Sequence, residues 1–134
     1  MNEALIVIPG KPIGKARPRF SRAGAFVKVY SAQAKEEKRI AKEVKAQWRG
    51  KPLDCPVVVE MTFLCPITKG SKKAVTDMLN GTTKNVKKPD IDNYGKWGLD
   101  VMNGIVFQDD KQVYELALSK SFDREPRTII RVEW

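Results

Sequence analysis

An almost unbroken apolar run at residues 57–64 is the feature that most restricts how this chain can fold. Only Glu60 and Thr62 interrupt it, so both sides of the segment carry apolar side chains. A strand of that kind is buried on both faces and lies inside a sheet. The run therefore predicts a central strand around which the other elements are arranged. A chain of 134 residues has room for one domain, which we expect to span residues 1–134.

The sequence on both sides of this run alternates between strand and helix patterns. A short apolar strand at residues 4–8 ends at Pro9 and Gly10, which are typical of a turn. A helix is predicted at 93–102, where Asn103 and Gly104 end it. The other predicted elements are a basic loop at 11–22, strands at 26–30, 113–119 and 128–134, a helix from Ser31 or Ala32 to Trp48, and a short helix at 75–79 within a long basic connection at 66–89.

Together these elements predict an α+β fold, a mixed sheet of about four to five strands packed against two main helices. We expect the last two strands to close the sheet as an antiparallel pair. The first helix has five basic residues at spacings of three and four, which places them on one face. These residues are Lys35, Lys38, Lys42, Lys45 and Arg49. Such a face either lies along a DNA duplex or is simply solvated, and the pattern alone favours neither.

Charge is segregated along the chain, which has a formal net charge of +9. Residues 11–51 carry 13 Lys and Arg against three acids, and residues 69–88 carry six Lys against one acid. Residues 89–134 instead carry nine acids against six bases. A basic protein of this kind is expected to bind a polyanion.

The chain contains no histidine, which excludes Ser-His-Asp triads, Cys-His pairs and zinc sites with histidine ligands. Acid–base or metal chemistry must therefore use carboxylates, lysine, tyrosine or water. Cys55 and Cys65 belong to no CxxC motif and are expected to be reduced thiols. The sequence predicts neither a secretion signal nor a membrane span, so we expect a cytoplasmic protein without a membrane partner.

The acids are concentrated in a short segment that begins after Pro89. If residues 90–92 are extended, the carboxylates of Asp90 and Asp92 point the same way while Ile91 points into the core. Asp92 or the next residue would then cap the helix, and Lys96 would face back toward Asp92. A third acid would come from the pair at 109–110, and alternation along the chain allows only one of the two to join.

Clustered carboxylates repel a phosphate backbone unless a divalent cation lies between them. Mg²⁺ prefers hard oxygen ligands and needs only a few carboxylates when substrate oxygens complete its shell. Such an ion can lower the pKa of a bound water and stabilise charge on a phosphate. Two metal ions could perform both tasks, and one metal ion together with Lys96 would also be enough. The alternative interpretation is that the acids only cap a helix and form salt bridges.

Three short motifs follow one another in this region: Asp90-x-Asp92-Asn93-x-x-Lys96, Asp100-x-x-Asn103-Gly104 and Asp109-Asp110-x-Gln112-Val113. Together they resemble the signature of the RusA family of Holliday junction resolvases. The resemblance covers nearly the whole chain, because an apolar N-terminal strand, a basic loop, a first helix and a central strand occur in the same order. The basic loop contains Gly14-Lys15-Ala16-Arg17-Pro18-Arg19.

The resemblance implies a small Mg²⁺-dependent endonuclease, with Mn²⁺ as a substitute, that acts as a homodimer on four-way DNA junctions. It assigns the catalytic and metal-binding carboxylates to Asp90, Asp92 and Asp110, and the catalytic lysine to Lys96. Lys88 is the nearest candidate for a basic residue that precedes the first acid. The implied reaction is hydrolysis of one phosphodiester at each of two sites, which gives paired symmetric nicks. It also implies a bacterial protein, with a phage or prophage origin in many relatives.

The basic segments supply the predicted DNA contacts. These are Lys15, Arg17, Arg19, Arg22, Lys72, Lys73, Lys84, Lys87 and Lys88. The stretch at 69–88 is expected to be a mobile DNA-binding loop, with a disordered solubilising segment as the alternative. The functional alternative is a basic junction-binding protein without catalytic activity, and a metal-dependent RNase or nucleotide hydrolase is a third. The first helix and the helix at 93–102 are both candidates for the dimer surface.

Overall fold

The computed structural model describes the backbone of residues 1–15, 19–23, 26–30 and 34–134, and the side chains of residues 1–15 and 34–134. Within these residues the chain forms six strands and three α-helices. They are β1 (Glu3–Pro9), β2 (Arg19–Ala23), β3 (Phe26–Tyr30), α1 (Ala34–Gln47), β4 (Val57–Pro66), α2 (Lys72–Leu79), α3 (Ile91–Met102), β5 (Val113–Asp123) and β6 (Arg127–Glu133). A 3₁₀ helix, Asp110–Gln112, precedes β5. The predicted α+β class with a mixed sheet is confirmed.

Four of the described strands form one mixed sheet in the order β1-β6-β4-β5. The apolar run is β4, which lies between β6 and β5, so its predicted central position is confirmed. It pairs antiparallel with β6 and parallel with β5. Strands β2 and β3 pair with each other as a separate antiparallel hairpin. The predicted loop at 11–22 thus contains the first part of a strand, β2.

The predicted pairing of the last two strands is wrong, because β4 lies between them. β5 runs parallel to β4, and β6 pairs with β4 on one side and with β1 on the other. The most apolar strand, β4, has a hydrogen-bonded neighbour on each side. It therefore separates β5 from β6, although these two strands follow each other directly in sequence. Local sequence patterns indicate where strands occur, whereas burial of the apolar strand decides which strands pair.

Alternate side chains of β4, among them Val59, Met61 and Phe63, are fully buried, and β4 contacts α3 on this face. Phe63 stacks on Tyr94 of α3, with ring centroids 4.8 Å apart. The opposite face of the sheet carries charged residues, including the ion pair between Arg131 and Glu60 at 2.7 Å. Glu115 of β5 lies on that face too, because its register partner Val58 alternates with the buried residues of β4.

Two glycines allow α3 to lie very close to the sheet. A Cβ atom at Gly95 would lie 2.6 Å from Cδ1 of Leu118, and one at Gly98 would overlap Sδ of Met61. Each glycine costs about 1 kcal/mol in a helix relative to alanine, so this close approach explains their presence. Trp97 of α3 is buried in the hydrophobic core, and half-buried Val101 packs against that core. The other side of α3 is left exposed.

Candidate active site

Helix α3 begins one residue after Asp90, which occupies its N-cap position. The backbone N–H groups of Asn93 and Tyr94 donate to the Asp90 carbonyl at 3.1 and 3.3 Å. The predicted extended conformation of residues 90–92 is therefore wrong, because Ile91 and Asp92 already belong to the first turn. Ile91 is 37% exposed and does not point into the core. An acid in the first helical turn is favourable because it faces the positive end of the helix dipole.

The carboxylate of Asp90 does not perform the usual task of an N-cap. It accepts no capping hydrogen bond from the first turn of α3, all of which the structure describes. Its side chain is exposed, as is that of Asp92. Lys96 Nζ lies 3.9 Å from Asp92 Oδ2, which confirms that this lysine faces back toward the acid. Two solvent-facing carboxylates and one ammonium group thus lie at the start of α3.

Two side chains, those of Lys120 and Asn85, hold the segment that leads into Asp90. Lys120 of β5 donates from Nζ to the carbonyl oxygens of Lys87 and Pro89, at 2.6 and 3.0 Å. Asn85, which is buried, donates to the carbonyl oxygen of Ser121 at 3.3 Å. The end of the basic connection is therefore attached along β5. This attachment sets where α3 starts relative to the sheet.

The two acids of the pair at 109–110 have different roles in the structure. Asp109 caps the 3₁₀ helix: its Oδ1 accepts the Lys111 N–H at 2.9 Å, and its own N–H donates to Gln112 Oε1. The hydrogen bond from the Lys111 N–H, with smaller contributions from a side-chain hydrogen bond with Asp110 and from the Lys111 charge, holds the pKa of Asp109 below its ordinary value. Asp110 is half-buried in the 3₁₀ helix, which contacts α3. Asp109 therefore has a structural role as the cap of the 3₁₀ helix.

The exposed face of α3 carries a second acid–lysine pair, which sequence reasoning did not assign. Lys15 Nζ lies 2.5 Å from Asp100 Oδ2, across 85 residues of sequence. The hydrogen bond and charge of Asp100, with the charges of Glu37 and Asp110, raise the pKa of Lys15. A signal was present, because Asp100 lies four residues after Lys96 and so shares its helix face. Its partner could not be found from local patterns.

The carboxylates suit a hard cation chemically, since Mg²⁺ prefers oxygen ligands. The structure brings Asp92 and Lys96 together, but among residues 1–15 and 34–134 no three acidic side chains are close enough to hold one metal ion. Like charges repel, so free carboxylates are not expected to gather without a cation. Mg²⁺ is commonly held by one or two carboxylates with substrate phosphates. The exposed pair Asp90 and Asp92 fits a site of that kind, which a phosphate would complete.

The predicted DNA contacts are only partly described. Arg17 lies outside the described residues, as do the side chains of Arg19 and Arg22, whose backbone belongs to β2. The side chains of the five lysines predicted from the basic connection are exposed: Lys72, Lys73, Lys84, Lys87 and Lys88. Part of this connection is helix α2, which Ser71 caps by accepting the Ala74 N–H. Lys15 faces α3 and its acids.

The remaining predictions concern thiols and membranes. Cys55 and Cys65 are both free, as predicted. In the part of the chain that the structure describes, no helix has the length and apolar character needed to cross a membrane.

Comparison with known proteins gives two findings. A model of the family described as endodeoxyribonuclease RusA matches residues 9–133, nearly the whole chain. Among curated proteins, the chain is similar to the "Uncharacterized protein YqaN" of Bacillus subtilis (strain 168), with 32% identity over 128 residues. That alignment covers 92% of this chain and 90% of the relative. The matched region includes β4, the whole of α3 and both acids of the 109–110 pair.

Proposed function

Because this chain belongs to the RusA endodeoxyribonuclease family, we propose that it cuts four-way DNA junctions by Mg²⁺-dependent hydrolysis at the exposed face of α3. Family membership makes the chain a nuclease of the Holliday junction resolvase class, which acts on DNA. Beyond family membership, we propose the Mg²⁺ ion, the residues that bind it and the hydrolytic mechanism. We also propose the cytoplasm of a bacterial cell as the site of action, because the substrate is DNA.

The observation that carries the proposal is the Asp90 carboxylate, which is placed at a helix N-cap and yet accepts no capping bond. A side chain that only stabilised the helix would accept such a bond, because capping contributes about 1 kcal/mol. Asp90 is instead available to a ligand, next to exposed Asp92 and Lys96. The helix dipole alone favours acids at this position, so the uncapped Asp90 carboxylate is the observation that indicates a ligand.

We assign the roles as follows. Asp90 and Asp92 offer carboxylate oxygens to Mg²⁺, and Asp110 is the third acid. Bound Mg²⁺ would supply a Lewis acid for the scissile phosphate and a water with a lowered pKa. Lys96, which lies beside Asp92, donates to the phosphate as negative charge develops on it. DNA has no 2′-hydroxyl, so the nucleophile is an external water.

The symmetry of the substrate favours a homodimer. A four-way junction is two-fold symmetric, and a dimer with two-fold symmetry offers one site to each of two equivalent strands. Two such sites would produce paired symmetric nicks. Light scattering of the purified protein should give twice the chain mass, and a monomeric mass in the presence of a junction would contradict this part of the proposal.

A cleavage assay tests the proposal. A synthetic four-way junction should be nicked in Mg²⁺ or Mn²⁺ and remain intact in EDTA. Asp90→Asn should lower cleavage by at least about 10²-fold and keep or tighten junction binding, because a charge that repels phosphate is removed. Glu115→Gln is the matched control, since it removes a carboxylate from the opposite face of the sheet and should cut normally.

The same assay separates the alternatives. A chain that binds the junction in Mg²⁺ without cutting it would be the non-catalytic junction-binding protein. Preferential cleavage of an RNA competitor would indicate the RNase. Normal cleavage by Asp90→Asn, Asp92→Asn and Lys96→Ala would show that the site lies elsewhere.

A further inference from the structure

We propose that Asp100 is a positioning residue that holds the ammonium group of Lys15 on the exposed face of α3, where it contacts the DNA phosphate that is cut. The inference rests on the proposed nuclease function. It also changes the expected role of Lys15. A lysine on a basic loop is expected to contact a duplex arm, whereas this one would act next to the reacting bond.

The backbone around Lys15 is fixed against the start of α3. Its N–H donates to the Asn93 carbonyl oxygen at 3.1 Å. One residue earlier, Gly14 lies so close to Pro89 that an added Cβ would be 2.7 Å from the proline Cβ. Only glycine permits that approach without a shift of the chain. The loop is therefore seated against the residue that precedes Asp90.

From this point the Lys15 side chain runs along the helix. Its backbone contacts Asn93, whereas its ammonium contacts Asp100, seven residues or about two helical turns further on. Side chains of a helix lean toward its N-terminus, so Asp100 reaches back to meet the lysine. Lys96 shares this face, because it lies four residues from Asp100. Two ammonium groups, each paired with an aspartate, thus line the same exposed face.

The charge pattern favours a functional reason for Asp100. Exposed ion pairs contribute little to stability, and the side chains of Lys15 and Asp100 are 51% and 44% exposed. An acid on a face that receives DNA also repels phosphate. Its presence is explained if it directs a lysine that would otherwise be free to move. The hydrogen bond from the Lys15 N–H to the Asn93 carbonyl oxygen places Lys15 beside the first turn of α3, where Asp90 and Asp92 lie.

The inference is tested by measuring cleavage and binding separately. Single-turnover cleavage of a four-way junction is measured in Mg²⁺, and junction affinity is measured in EDTA. Lys15→Met should lower the cleavage rate by about 10²-fold, as expected for the loss of one charge-stabilising donor. Asp100→Asn should lower it by about 10-fold through misplacement of the lysine, while affinity stays equal or rises. Asp100→Glu should recover part of the rate.

The double variant gives the decisive comparison. If Asp100 acts through Lys15, the variant with both changes should cut no more slowly than Lys15→Met alone. Lys11→Met, an exposed lysine of the same loop, is the control and should change affinity without a specific loss of cleavage. A thermal melt of each variant verifies that it is folded.

Three results would overturn the inference. One is normal cleavage by Asp100→Asn in a chain whose wild type cuts. Another is a double variant whose loss of cleavage rate equals the combined losses of the two single variants, which would mean that Asp100 acts independently of Lys15. The third is weaker junction binding by Asp100→Asn in proportion to its slower cleavage, which would indicate a purely structural role. If the wild-type chain binds a junction but does not cut it, the proposed function itself fails, and the inference fails with it.

Discussion

Lys120 Nζ donates to the Pro89 carbonyl oxygen at 3.0 Å and thereby connects strand β5 to the residue that precedes Asp90. The same ammonium donates to the Lys87 carbonyl oxygen at 2.6 Å. A lysine within a DNA-binding protein would usually be assigned to phosphate contact. This one instead fixes the backbone that leads into the candidate site, so its loss should affect geometry more than DNA affinity.

Replacement of Lys120 by Met tests that role. Both carbonyl oxygens lose their charged donor, and we expect the free energy of unfolding to fall by about 1–2 kcal/mol. Junction cleavage should fall at least 10-fold, because Asp90 is no longer held in place. Urea denaturation and single-turnover cleavage measure the two effects. The control is Lys51→Met, an exposed lysine that lies outside both this contact and the proposed site. Unchanged cleavage by Lys120→Met would contradict the positioning role.

The two adjacent acids at 109–110 should respond in opposite ways to the same substitution. Asp110→Asn removes a proposed site carboxylate and should lower cleavage by about 10²-fold or more. Asp109→Asn should cut at nearly the wild-type rate, because asparagine is as good a helix cap as aspartate. Each variant serves as the control for the other in the cleavage assay. A large loss in Asp109→Asn with none in Asp110→Asn would reverse the assignment.

The capping carboxylate of Asp109 also makes stability depend on pH. Its pKa is lowered in the folded chain from the ordinary value of 3.8, because the Lys111 N–H stabilises the charged form. The charged cap therefore contributes fully above about pH 5 and is lost as the pH falls through the folded pKa, below 3.8. Asp109→Asn should show a smaller loss of thermal stability between about pH 5 and 3 than the wild type. If the thermal stability of the two proteins falls by the same amount over this pH range, the charged cap makes no such contribution.

The close approach of α3 to β4 predicts a sensitive core position at Gly98. Gly98→Ala places a Cβ against the sulfur of fully buried Met61, and we expect a loss of about 1–3 kcal/mol in the free energy of unfolding. The better helix propensity of alanine offsets part of that cost. Adding Met61→Val should restore part of the stability by making room. If Gly98→Ala is as stable as wild type in urea, the contact is looser than the structure indicates.

Much of the fold could be predicted from local patterns. The apolar run identified β4 as the central strand, and helical periodicity located α1 and α3 to within a few residues. The pairing of β5 and β6 could not be predicted, because partner choice depends on which strand needs two neighbours. Strand β2 was missed because its sequence, Arg19–Ala23, is short and lacks an apolar run.

The candidate site was predictable where its residues are close in sequence. The spacing of Asp92 and Lys96 predicts their contact, which the structure contains. The pair of Lys15 and Asp100 joins a loop to a helix 85 residues away, so only the folded chain shows it. The capping role of Asp109 likewise could be seen only in the folded backbone of the 3₁₀ helix, because a cap is defined by the N–H groups that donate to it.

The central claim is that the acids at the start of α3 hold a divalent cation together with DNA. Binding of Mn²⁺ to the full chain, followed by electron paramagnetic resonance with and without a four-way junction whose scissile phosphate is uncleavable, measures this directly. Tight Mn²⁺ binding is expected with the junction present, and Asp90→Asn combined with Asp92→Asn should abolish it while Glu115→Gln leaves it unchanged. Equal Mn²⁺ binding by the doubly substituted chain and the wild type would contradict the claim.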